Sequence, residues 1–125
     1  MVRYRFALAA AALAAALAWV LPALAHQASS TGASVSAVNV TTGKPAEFRF
    51  TLSKKTVPKG TVNFLVINKG ALPHDFKING HKTTLLSPGQ AKTLKVTFLK
   101  AGKYPYLCTV TGHAAAGMKG VFKAT

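Results

Sequence analysis

The sequence predicts an all-β fold, an antiparallel sandwich, on three observations. Apolar residues recur at every second position, turn residues interrupt the runs at short intervals, and no stretch beyond residue 34 holds a helical period. A first strand is expected near 35–40. In the second, 46–52, Phe48, Phe50 and Leu52 alternate with Glu47, Arg49 and Thr51. In the third, 61–67, Val62, Phe64 and Val66 alternate with Thr61, Asn63 and Leu65. A fourth is expected over 74–79. In the fifth, 91–99, Leu94, Val96 and Phe98 alternate with polar neighbours. Runs at 103–108 and 119–125 complete a count of about seven. Such alternation gives each strand one face for a core and one for water. Between them lie Gly43-Lys44-Pro45, Pro58-Lys59-Gly60, Asn68-Lys69-Gly70, Asn79-Gly80, Ser87-Pro88-Gly89 and Ala101-Gly102, whose residues favour turns. Pro105 cannot donate to a ladder, so its strand is expected at an edge or bulged.

Ahead of these strands, residues 1–25 read as a secretory signal peptide. Arg3 and Arg5 precede an Ala/Leu-rich run that ends in Pro22 and Ala23-Leu24-Ala25, the small-x-small pattern of a cleavage site. The apolar run is long enough to serve as an uncleaved anchor, but alanines insert weakly, and cleavage after Ala25 is the expectation. The protein is therefore expected to be exported, to the periplasm or an equivalent compartment. Residues 26–34 form a flexible lead-in, and 35–125 a single domain of modest core. Loss of the two arginines takes the net charge from +14 to +12.

Composition excludes several chemistries. Only Glu47 and Asp75 are acidic, leaving little for paired-carboxylate catalysis. A single cysteine, Cys108, forbids an intramolecular disulfide, and no Cys-x-x-Cys-His run exists to attach haem. The mature basic residues are scattered lysines with one arginine, Arg49, and lack the clustered arginines and stacking aromatics of a nucleic-acid binder.

The chemistry concentrates in Cys108-Thr-Val-Thr-Gly-His113-Ala-Ala-Ala-Gly-Met118. On a loop between two strands, a thiolate, an imidazole and a thioether can converge. These soft donors select copper, and a second imidazole would complete the two-imidazole, one-thiolate, weak-methionine set of a blue-copper site. Of the remaining histidines, His74 follows a turn and opens a strand, His81 sits in a polar turn, and His26 begins the mature chain. His74 is the candidate. Zinc is the rival ion, but a thioether adds little to it and Met118 would be unexplained. A Cys108–His113 nucleophilic pair would leave both His74 and Met118 without a role.

From about Val35 to Thr125 the sequence resembles the cupredoxins, on Gly102-Lys-Tyr104-Pro-Tyr106-Leu-Cys108, the Cys-x4-His-x4-Met loop and an upstream Pro73-His74 pair. The resemblance implies a Greek-key sandwich of seven to eight strands and one type 1 copper ion held by His74, Cys108, His113 and Met118. It also implies a tyrosine-corner role for Tyr104. The two-copper centre of a related branch needs two bridging cysteines and is excluded. Many relatives carry asparagine after the first ligand histidine. Here Asp75 stands there, which puts the usual tie between ligand loops in question and would favour the oxidised ion. Thr111 replaces a frequent proline, so a less rigid loop is expected.

The implied activity is one-electron transfer, with no enzymatic step, by a monomer meeting a redox partner. The lysine surface suits a partner with an acidic docking face, with weak attraction to an anionic membrane surface as a further effect. Gly70-Ala71-Leu72-Pro73 and Ala114-Ala115-Ala116-Gly117 are expected to form an apolar collar around the outer edge of His113. A periplasmic copper chaperone or storage protein would use the same ligands.

Overall fold

Period-2 alternation produces two facing sheets in the computed structural model, which describes residues 32–125. The signal peptide and most of the lead-in, residues 26–31, lie outside the described residues. Among those described, nine strands follow one another: β1 (Val35–Thr42), β2 (Phe50–Leu52), β3 (Thr56–Val57), β4 (Gly60–Asn68), β5 (Lys77–Ile78), β6 (His81–Lys82), β7 (Ala91–Phe98), β8 (Gly102–Leu107) and β9 (Lys119–Ala124). One sheet has the order β2-β1-β4-β7, the other β3-β9-β8-β5-β6.

The all-β sandwich matches the expectation, but the pairing is mixed rather than wholly antiparallel. β1 runs parallel to β4 from Val35↔Thr61 to Thr42↔Asn68, and β3 runs parallel to β9. The chain leaves β2, contributes β3 to the opposite sheet and returns as β4 on the far side of β1. A parallel neighbour requires such a crossover, and alternation within a strand carries no record of it. Two expected strands are also shorter. Residues 44–49 form turns and bends, leaving only Phe50–Leu52 extended, and the run 74–79 keeps only Lys77–Ile78, with His74 in an isolated bridge to Leu86.

Pro105 stands where β8 has a neighbour on one side only. It is paired to Val121 of β9, whereas β5 reaches just Tyr106 and Leu107. Asn79 and Gly80 both have positive φ (47° and 75°), the left-handed pair that a tight hairpin between β5 and β6 requires. The Tyr104 hydroxyl donates to the Lys100 carbonyl at 2.6 Å, the corner contact expected of it.

Val38, Val40, Val62, Phe64, Val66, Val96 and Phe98 of the first sheet face Ile78, Tyr106 and Phe122 of the second, all buried. Phe64 is central, with ring centroids 5.2 Å from Phe122, 5.4 Å from Phe76 and 6.2 Å from Phe98. Truncating it should leave a cavity that these rings cannot close. Phe64→Ala is expected to lose about 3–5 kcal/mol of stability, read as a lower urea midpoint.

The registers decide where the loops go. Thr42 lies opposite Asn68, Ile67 opposite Ala91, and Leu107 opposite both Lys119 and Lys77. The connections after β1, β4 and β8 and before β7 therefore emerge together at one end.

Candidate metal centre

At that end the chain places three of its chemistry-bearing side chains within reach of one another. His74 lies beyond β4, and its backbone is bonded both ways to Leu86, N to O at 3.0 Å and O from N at 2.8 Å. Asn68, fully buried, holds the intervening turn. Its amide nitrogen donates to the Leu72 and Leu86 carbonyls, both at 2.8 Å, and its oxygen accepts from Gly70 N at 2.9 Å. Cys108 follows β8 directly, and its N–H donates to the Met118 carbonyl at 3.1 Å. His113 sits on the loop between, where its N–H donates to Val110 O and its carbonyl accepts from Met118 N, both at 3.0 Å. Gly112 and Gly117 turn this loop with φ of 82° and 112°. Successive backbone bonds run along this loop, in which Thr111 stands where a proline is frequent.

His74 Nδ1 lies 3.2 Å from His113 Nδ1, and Cys108 Sγ lies 3.6 Å from His113 Nδ1. The three donor atoms are all within 4.8 Å of one another, and all three residues are buried. Donors set trigonally about an ion at roughly 2.0–2.3 Å stand about 3.5–3.9 Å apart, so the cluster is close to a binding geometry. Two imidazole nitrogens with a thiolate are a borderline-to-soft set, and the cluster fits one type 1 copper ion. Met118 is fully buried, and its backbone joins both Cys108 and His113. His81 is exposed on β6 and takes no part; His26 lies outside the described residues.

Both acidic residues serve this centre. Asp75 replaces the expected asparagine and makes the tie itself. Its Oδ1 accepts from Thr109 N at 2.6 Å, and its Oδ2 accepts from the Thr109 hydroxyl, joining the His74 segment to the residue after Cys108. Lys82 Nζ approaches Asp75 Oδ2 at 3.7 Å. Glu47, which strand periodicity assigned only a solvent-facing place, lies in the β1–β2 loop and clamps the His74 segment. Its carboxylate accepts from Ala71 N and Leu72 N, both at 2.9 Å, and from His74 Nε2 at 2.7 Å. Those backbone donors, with His74 assisting, hold its pKa at about 2, so the group is a carboxylate and the imidazole is the donor. With Nε2 engaged by the carboxylate, Nδ1 is the ring atom turned to the cluster. Gly70 is required beside this clamp, because a Cβ there would collide with the Glu47 carboxylate. The one sequence signal for Glu47 was its rarity as one of two acids.

Phe48, expected in a strand, instead packs edge-on to the His113 ring at 4.9 Å. Burial raises the Cys108 pKa above the ordinary thiol value. Burial, with the neighbouring His74 adding to it, lowers that of His113. The metal-free centre therefore holds a thiol and an uncharged His113 imidazole at neutral pH. Loading copper near pH 7 should release about one proton per ion, from Cys108, and affinity should rise with pH across this range. An indicator dye in weakly buffered solution measures the release.

A family model described as a cupredoxin-like domain matches residues 11–120. Among solved structures, the chain resembles the Na-dithionite reduced auracyanin of the photosynthetic bacterium Roseiflexus castenholzii at 25% identity, with a TM-score of 0.56, covering 75% of this chain and 99% of that one. It shares the fold of auracyanin A, a "blue" copper protein of Chloroflexus aurantiacus (17% identity, TM-score 0.61, covering 74% and 100%). It also shares that of rusticyanin from Thiobacillus ferrooxidans (23% identity, TM-score 0.60, covering 73% and 77%). Comparison with curated proteins gives no match.

Proposed function

The chain belongs to the cupredoxin-like domain family, and on that premise we propose that it is an exported electron carrier whose single copper ion is held by His74, Cys108, His113 and Met118. One observation carries the reading: the only sulfhydryl of the chain and two imidazole nitrogens, brought together from two loops, converge in a buried cluster. When bound, copper supplies a one-electron Cu(I)/Cu(II) couple.

The chain's own residues do the rest. Cys108, having lost its proton, would contribute the dominant bond, and His74 and His113 would contribute their Nδ1 atoms. Met118, carried on the same loop, would supply a weak thioether donor. Asp75 and Glu47 fix the loops before any ion arrives, so little reorganisation accompanies a change of oxidation state. With four protein donors, no position is left for a substrate, and the protein is a carrier rather than an enzyme. Ala71, Leu72 and Pro73, which precede His74, are exposed, as are Ala115 and Ala116, which follow His113; this supports an apolar collar beside His113 for contact with a redox partner. We assign residues 1–25 as a cleaved signal, 26–34 as a lead-in and 35–125 as the copper domain of a periplasmic monomer; the start of β1 at Val35 supports that boundary.

The direct test is to add Cu(II) to metal-free protein and record the visible spectrum. An intense blue band with slow loss of copper to a chelator is expected. Rapid transfer of colourless Cu(I) would instead make the protein a chaperone. Met118→Leu should retain copper and raise the reduction potential, because a thioether stabilises Cu(II) more than an alkyl group does. Voltammetry of the two proteins decides it, and an unaltered potential removes Met118 from the proposed donor set.

A further inference from the structure

The lysines of the two sheets are unevenly placed. In the first sheet, the outward positions of β1, β4 and β7 hold Thr, Asn, Ala, Val, Leu and Ile, with one lysine, Lys95, opposite Asn63. In the second sheet, registers put lysines in two rows on the outward face. Lys103 lies directly opposite Lys123; Lys119 follows across Leu107 to Lys77, which is directly opposite Lys82. All five are exposed. Among the described residues the only acids are Glu47, engaged with His74, and Asp75, of which Lys82 is within 3.7 Å.

Like charges directly opposite one another on a sheet destabilise it. A lysine surface serving solubility alone has no need to stack two such pairs on one face while leaving the other almost uncharged. Lys82 gains Asp75, but the Lys103–Lys123 pair has no carboxylate beside it among the described residues, and local rules broken without a structural gain mark functional surface. Between the rows, Pro105 is paired with Val121, and beside them lies a groove of about 310 Å³ lined by Ile78, Tyr104, Pro105 and Leu107, with Lys77 at its margin.

We propose that the outward face of β5, β8 and β9 is a docking surface for an acidic protein that places an apolar side chain in this groove and carboxylates over the lysine rows. That the bound protein exchanges electrons rests on the carrier reading; the surface does not. The groove favours a protein over a bilayer, since a concave apolar slot takes a protruding side chain. Of the large exposed apolar residues Val121 is on this face, while Leu72, Leu85 and Leu99, which could enter a membrane, are exposed in loops elsewhere. Nucleic acid is disfavoured because the cations are lysines and Tyr104 is half-buried with its hydroxyl engaged.

The test uses the full chain, reduced and copper-loaded and also metal-free. The probe is a synthetic peptide with one phenylalanine flanked by glutamates, titrated while backbone amide resonances are followed. Shifts confined to β5, β8 and β9 and their turns are expected, and replacing the phenylalanine by alanine should weaken binding. The Lys103→Gln/Lys123→Gln double variant should bind roughly threefold or more weakly at low salt, with the difference shrinking as salt is added. It should also melt at a higher temperature, since a like-charge pair is gone, while Lys95→Gln changes binding little. Shifts spread over both sheets, an unchanged affinity in the double variant, or a double variant that melts no higher would each overturn the proposal. So would binding of phosphatidylglycerol vesicles or a single-stranded oligonucleotide in place of the peptide. Mapped peptide binding by a protein that takes up no copper removes the carrier reading and keeps the surface. A blue protein without a mapped site does the reverse.

Discussion

Cys108→Ser is expected to yield a folded protein that neither turns blue nor retains copper. The thiolate is the one strongly donating soft ligand in the cluster, and a serine hydroxyl stays protonated and is a poor partner for copper at neutral pH. The loss of affinity should exceed the roughly 10–100-fold that follows when a residue outside the ligand set is changed. Folding should survive. Serine is nearly the same size, and the backbone bond from residue 108 to Met118 O is independent of the side chain. Thermal melting of the metal-free variant should therefore stay within about 1 kcal/mol of the parent. Visible absorption and metal content after dialysis are the measurements. A variant that keeps the blue band would eliminate Cys108 as a ligand and the proposed function with it.

Glu47→Gln should reduce copper affinity by about 10–100-fold and raise the reduction potential. The carboxylate satisfies three donors at once, Ala71 N, Leu72 N and His74 Nε2, with its two oxygens. An amide has one oxygen, so its NH2 must face a donor and the clamp opens on one side. The lost negative charge acts in the same direction on the potential, since it had favoured the more positive Cu(II) state through His74. Competition with a chelator gives the affinity, and voltammetry the potential. A potential equal to that of the parent would reduce Glu47 to a loop fastener.

The same group leaves a signature in acid. Its pKa falls from 4.5 to about 2 on folding, principally through the Ala71 and Leu72 amides. A lowered carboxylate pKa contributes stability that is complete above the unfolded value and is lost as pH falls through the folded one. Metal-free parent protein should therefore lose stability between about pH 4.5 and 2 more steeply than Glu47→Gln, as denaturant titrations across that range would record.

How far the chain could be read in advance varies along it. Val62, Phe64, Val66, Val96 and Phe98 advertise their inward positions by spacing alone, and each is buried as expected. Asp75 was legible as a departure but not in its effect, because its partner Thr109 is 34 positions away. Glu47 was placed in a strand because alternation continues through Phe48 to Leu52, yet turns take residues 44–49 and bring Glu47 to His74 and Phe48 to His113.

Side-chain alternation and donor chemistry are properties of short segments, and they sufficed for the sandwich and for the soft character of the centre. Direction of pairing, the meeting of four connections at one end and the carboxylate clamp on His74 were decided only in three dimensions. Each depends on contacts between segments 24 or more positions apart, such as Glu47 with Ala71, and hydrogen bonds across such a span leave no period in the sequence that precedes them.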